Sequence, residues 1–204
     1  MFNSRLKIKV CGLRDNILEV DAVQPDFIGF IFYPKSPRYV GYDFVMPPAL
    51  AALKVGVFVN QPIRQVMEIQ RKHDLDYLQL HGDENVDYCV ELKAHALKII
   101  KVFAGNQMPL REDLDNYAPF IDYYLFDTKL AQHGGNGISF DWSVLHNLNL
   151  KKPIILSGGI SLANVKELDS LADKIYAIDV NSKFETSPGL KNINQIKELK
   201  STIS

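Results

Sequence analysis

Cysteine is scarce in this chain: Cys11 and Cys89 are the only two. Two thiols build no disulfide framework, and their rarity fits the reducing cytosol. Long apolar runs are missing too, and none approaches the roughly 20 residues of a membrane span. The opening MFNSRLKIKV has no apolar core of the signal type and runs straight into strand-like sequence. Neither sign of charge is in excess. The formal net charge is −1, so no global field draws nucleic acid or an acidic membrane. There is no long basic run and no basic-plus-aromatic cluster of the kind that grips single strands. No linker, low-complexity tract or domain boundary breaks the chain. These absences exclude nucleic-acid and membrane partners and leave the expectation of a cytoplasmic protein with one domain over residues 1–204.

What is present suits a sizeable core: 47% of residues are hydrophobic and 23% charged. Short β-rich runs alternate with helical patterns throughout. The predicted strands are Leu6–Val10, Phe27–Phe32, Val55–Val59, Tyr77–Leu80, Leu97–Phe103, Tyr123–Phe126, Pro153–Leu156 and Ile175–Val180. Between them, Ile63, Val66, Met67 and Ile69 share one helical stripe. Val86, Val90 and Leu92 share another, with Cys89 beside them as a core residue, and Ile193, Ile196, Leu199 and Ile203 a third. Asn60-Gln61-Pro62 reads as a cap followed by an early helical proline.

Alternation of this kind implies parallel strands joined through helices, and eight units imply an α/β fold closed into a (β/α)₈ TIM barrel. About 20 to 30 residues per unit makes it a small one. A doubly wound open sheet is the alternative, and no G-x-G-x-x-G follows the first strand to support it.

Barrel chemistry gathers where strands end. Polar and glycine residues recur at those ends: Cys11-Gly12, Tyr33 to Arg38, Asn60, Gln79 and His81, Asp127-Thr128, Ser157-Gly158-Gly159, and Asp179 with Asn181-Ser182. Core strands alone do not require this. The loops after the last two strands suit phosphate, because glycines let backbone N–H groups close on an anion. A third glycine loop, HGGNGISFDW, offers Gly134, Gly135 and Gly137 as a flap or a second piece of that cradle. Taken singly, each residue has a plainer role: Cys11 as a small apolar core residue, Asp127 as a cap, His81 as a structural histidine, Arg38 as a loop arginine paired with a surface acid.

KVCGLR, GFIFYPKSPRYV, VGVFVN, LQLHGDE, LFDT, GGNGISFDW, LSGGI and DVNSKFE with PG just after run in order across almost the whole chain. Together they resemble one family, N-(5′-phosphoribosyl)anthranilate isomerase. Two positions depart from its pattern: Asn136 stands where the family often has threonine or serine, and Lys183 where it often has glycine. The resemblance implies a single-domain (β/α)₈ barrel, without metal or cofactor, in tryptophan biosynthesis. Its substrate is a small phosphorylated sugar amine, and the protein a monomer or homodimer. The reaction is an Amadori rearrangement of aldose amine to ketose amine. The resemblance makes Cys11 the general base and Asp127 the general acid; Arg38, His81, Gly135, Gly158, Gly159, Asn181 and Ser182 are the candidate substrate-binding residues.

That chemistry asks for an aspartate raised above its usual ~3.9 and a thiol lowered below its usual ~8.5. Arg38 offers a bidentate fork for the anthranilate carboxylate. If Cys11 faces the mouth, strand alternation turns Lys9 into the barrel and sets Leu6, Ile8 and Val10 against the helices. A lysine there needs a partner. Strand eight neighbours strand one in a closed barrel, so Lys9 and Asp179 are predicted to pair and put positive charge near the thiol. The competing functions are an enzyme like the neighbouring indole-glycerol-phosphate synthase, and a catalytically silent phosphate-binding barrel.

Overall fold

A computed structural model describes residues 6–128 and 140–203. Eight parallel strands close into a barrel in sequence order. They are β1 (Lys7–Val10), β2 (Phe27–Ile31), β3 (Leu53–Phe58), β4 (Tyr77–Leu80), β5 (Ile99–Ala104), β6 (Tyr123–Asp127), β7 (Ile154–Leu156) and β8 (Ile175–Val180). Barrel closure pairs β1 with β8, and Lys9 stands opposite Asp179 in that register. The flanking helices are α1 (Ile17–Asp21), α2 (Ile63–His73), α3 (Val86–Ala94), α4 (Arg111–Tyr117) and α5 (Ile193–Thr202).

The apolar residues divide by strand parity, as alternating side chains require. Ile8, Val10, Ile28, Phe30, Leu78 and Leu80 face outward into the layer beneath the helices. Phe27, Val55, Tyr77, Ile100, Leu125, Ile155 and Ala177 fill the barrel interior. Cys89 is fully buried in the outer layer.

Two expectations need correction. The alternation is not helical in every unit. After β2 the chain runs through turns without a helix, because Pro34, Pro37, Pro47 and Pro48 punctuate it. After β6 and β7 the described crossovers carry only 3₁₀ segments, Trp142–Asn147 and Val165–Leu171. Nor does Asn60 cap α2. It sits in the left-handed region at φ 51 and its Oδ1 accepts from Asp83 N at 2.7 Å, while Pro62 occupies the position before the helix. True side-chain caps occur at Asn85 for α3 and Asn192 for α5.

The N-terminal end of the barrel repeats one device three times. Asp26, Asp76 and Asp122 each precede an even-numbered strand, and each carboxylate accepts an N–H near the start of the preceding strand: Ile8 at 2.9 Å, Lys54 at 2.7 Å and Ile99 at 2.8 Å. The next residue is aromatic each time, and the rings meet: Phe27 to Tyr77 at 5.8 Å and Tyr77 to Tyr123 at 5.6 Å between centroids. Tyr176 lies 5.1 Å from Tyr123, with Lys7 Nζ over its ring. Beyond β8 lies one element outside the barrel repeat, an antiparallel hairpin of β9 (Glu185–Ser187) and β10 (Leu190–Lys191).

Candidate active site

The opposite, C-terminal end of the barrel opens into a cavity of about 520 Å³, within the range usual for small-ligand sites. Cys11, Arg38, His81, Asp127, Gly158, Gly159, Asp179, Asn181 and Ser182 all line it. Lys9 lies beneath. Gly135 falls outside the described residues, as do Gly134, Asn136 and Gly137. Lys183 lines the cavity from an exposed position at its rim.

Cys11 follows β1 and is 4% exposed. Room for its sulfur comes from Gly29 on β2, where a Cβ would stand 2.8 Å from Sγ. Lys9, one inward position below, is fully buried, and its Nζ donates to Asp179 Oδ2 at 2.8 Å. Burial pulls the Lys9 ammonium toward neutrality, but Asp179 and Cys11 offset that and hold it charged. Burial pushes the thiol up, and Lys9 and Lys191 only partly oppose it. The chemistry asks for a lowered thiol, but here desolvation outweighs two nearby cations and the thiol is raised.

Asp127 ends β6 across the barrel. Burial raises its carboxyl to about 6, against the opposing pull of Thr128 N, Lys9 and Ser157. Thr128 N donates to Oδ1 at 2.7 Å. The other oxygen, Oδ2, lies 3.5 Å from His81 Nε2. Desolvation lowers His81 to about 4, so the ring is neutral near pH 7. Gln79 Nε2 lies 3.0 Å from His81 Nδ1; donating there leaves the ring proton on Nε2, facing the carboxylate. Gly158 is required beside this acid. Its φ is +89, and a Cβ would come 2.6 Å from Thr128 Oγ1 and 3.0 Å from Asp127 Oδ1.

The loop that carries His81 is anchored by a buried pair. Lys101 Nζ donates to Glu84 Oε2 at 2.8 Å and to Gly82 O at 2.7 Å. Glu84 in turn accepts from Asn60 N and Gly82 N at 2.8 and 2.9 Å, tying the loops after β3 and β4 together. Arg38 pairs not with a surface acid but with Glu185, whose side chain is 4% exposed. Sequence reasoning missed Gly29, Glu84, Lys101, Glu185 and Lys191. None ends one of the eight predicted strands, and only the fold shows what they touch.

Comparison with known proteins agrees along the whole chain. The family model for N-(5′-phosphoribosyl)anthranilate (PRA) isomerase matches residues 8–201. The N-(5′-phosphoribosyl)anthranilate isomerase of Parabacteroides distasonis is 41% identical over 201 residues, covering 93% of this chain and 90% of the relative. The crystal structure of the phosphoribosyl anthranilate isomerase of Thermus thermophilus aligns with a TM-score of 0.79 at 26% identity, over 96% of this chain and 97% of that one. A phosphoribosyl anthranilate isomerase solved in complex with reduced 1-(o-carboxyphenylamino)-1-deoxyribulose 5-phosphate aligns at 0.73 and 28% identity, over 96% and 97%. A closed eight-stranded barrel, a mouth lined by a thiol and a carboxyl, and a match from residue 8 to residue 201 converge: the chain belongs to the N-(5′-phosphoribosyl)anthranilate isomerase family.

Proposed function

We infer that this chain isomerises N-(5′-phosphoribosyl)anthranilate to 1-(2-carboxyphenylamino)-1-deoxyribulose 5-phosphate, a step of tryptophan biosynthesis. The observation that carries the reading is Cys11 and Asp127 facing one cavity from β1 and β6 in a chain that matches this family end to end. The rearrangement is internal and needs only an acid and a base. An acid gives a proton to the ribose ring oxygen, and the ring opens to a Schiff base. A base then takes the C2′ proton, and the enolamine tautomerises to the ketone.

Asp127 is the acid. With a value of about 6 it keeps a usable protonated fraction near neutrality. His81, neutral and fixed by Gln79, orients Asp127 through Oδ2. Cys11 is the base, and Lys9 beneath it favours the thiolate that takes the proton. The backbone of Gly158 and Gly159, with Ser182 and the main chain of Asn181, receives the phosphate; the Asn181 side-chain oxygen is already engaged by Lys191. Lys183 at the rim adds its ammonium to that cradle. Arg38 receives the anthranilate carboxylate. One chain supplies all of these groups, so the reading holds for a monomer or a homodimer. The reducing cytoplasm suits a free thiol base.

The test follows the fluorescence of phosphoribosylanthranilate, which is lost on isomerisation. Wild-type protein turns it over, while Cys11→Ala and Asp127→Asn each lower kcat by roughly 10²- to 10⁴-fold. A clean preparation that leaves the fluorescence unchanged would instead point to the silent barrel or to a different substrate.

A further inference from the structure

The hairpin β9–β10 sets two ionisable side chains behind the cavity wall, Glu185 and Lys191, with side-chain exposures of 4% and 0%. Arg38 reaches them from the loop after β2. Its Nε lies 3.0 and 2.9 Å from the two Glu185 oxygens, and its Nη2 2.7 Å from Oε2. Lys191 Nζ donates to Glu185 Oε1 at 2.6 Å and to Asn181 Oδ1 at 2.7 Å. The hairpin is itself fastened to the segment after β1. Lys191 N donates to Asn16 Oδ1 at 3.0 Å, Asn16 Nδ2 donates to Lys191 O at 2.9 Å, and the Arg14 and Asp15 N–H groups donate to Gly189 O at 3.1 Å each.

Two buried cations thus share one carboxylate. A buried ion pair is weak support for stability, since desolvation consumes most of the attraction. Its use here lies in direction. Glu185 occupies the Nε–Nη2 side of the guanidinium. Among the described residues Nη1 makes no hydrogen bond, and Arg38 lines the cavity. The end of the fork, Nη1 with the second proton of Nη2, is left for a planar anion. The assembly also presses on the turn after Cys11: a Cβ at Gly12 would come 2.7 Å from Arg38 Cδ and 2.6 Å from Asn181 Oδ1.

We propose that Glu185 is a positioning residue for substrate selection. By holding one edge of Arg38, it presents the other to the carboxylate ortho to the substrate's amine. Lys191 locks Glu185 in that pose, and the surplus positive charge of the trio favours an anionic aromatic ring over a neutral one. The inference rests on Arg38 receiving that carboxylate.

Two substrates and two positions test it. Glu185→Gln keeps the shape and loses the charge; it raises KM for phosphoribosylanthranilate by roughly tenfold or more, with kcat changed by less than about threefold. With N-(5′-phosphoribosyl)aniline, which lacks the carboxylate, wild type and variant have equal kcat/KM when product ketose is followed by NMR. An unchanged KM for the natural substrate overturns the proposal. So does an equal loss on both substrates, since that is general loosening of the loop. Arg38→Gln separates the two layers. If it leaves KM unchanged, the carboxylate reading of Arg38 fails; if it raises KM while Glu185→Gln does not, only the role of Glu185 fails. Should Glu185→Gln not fold, Glu185→Asp keeps the charge one methylene short; it gives an intermediate KM, and a wild-type KM overturns the idea.

Discussion

Asp127 shows how one residue trades stability for chemistry. Its folded carboxyl holds a proton up to about pH 6, whereas an unfolded aspartate loses it near ~3.9. Above pH 6 the fold therefore carries a charge that it disfavours, and the penalty disappears as pH falls from 6 toward 4. Asp127→Asn removes it. The variant should be more stable than wild type at pH 7.5 by about 1–3 kcal/mol in urea unfolding, with the gain gone near pH 4. A constant difference across that range would refute the assignment. The places of Cys11 and Asp127 were legible because each ends an apolar strand, while their proposed roles came from the family resemblance. Gly29 was not: in FIGFI it reads as an ordinary strand glycine, and only the neighbouring thiol gives it a purpose.

At the scale of elements, the eight strands were legible to within about two residues, since each is a short apolar run bounded by breakers. The hairpin was not. FETSPGLK reads as a polar loop, and its strands span only three and two residues. Pairing across the hairpin, not local propensity, makes it, and it supplies two of the three charged side chains of the Arg38 cluster. In β1 the alternation of side chains, with Cys11 placed at the mouth, turned Lys9 inward. Replacing it with methionine strands Asp179 as a buried charge, so Lys9→Met should cost about 3–5 kcal/mol in denaturant unfolding. It should also move the alkaline limb of turnover upward, since the thiol loses its nearest cation. If neither quantity moves, the pair has no role.

The whole molecule sets the pH response, because acid and base stand on opposite arcs of the barrel and must be ready together. Their values lie in reverse order, about 6 for the acid and above the ordinary thiol range for the base. The competent fraction rises with pH to about 6, while the thiol ionises and the acid stays protonated. It then holds level, and falls only beyond the thiol's value. Plots of kcat/KM against pH should show that plateau. Asp127→Asn should climb through pH 6 without a break, beyond any limb the substrate phosphate contributes to both. A wild-type profile that also climbs through pH 6 would contradict the order.

The far end of the barrel bears on the same cycle. Three aspartate latches and a cluster of touching aromatic rings stop it like a cork, below the buried lysine and the thiol. Among the described residues the reaction chamber is closed at that end. Substrate and product pass through the C-terminal mouth, and the sugar phosphate inside stands between the thiol and that mouth. A proton lifted from the sugar is thus kept in the company of the molecule it came from until that molecule leaves.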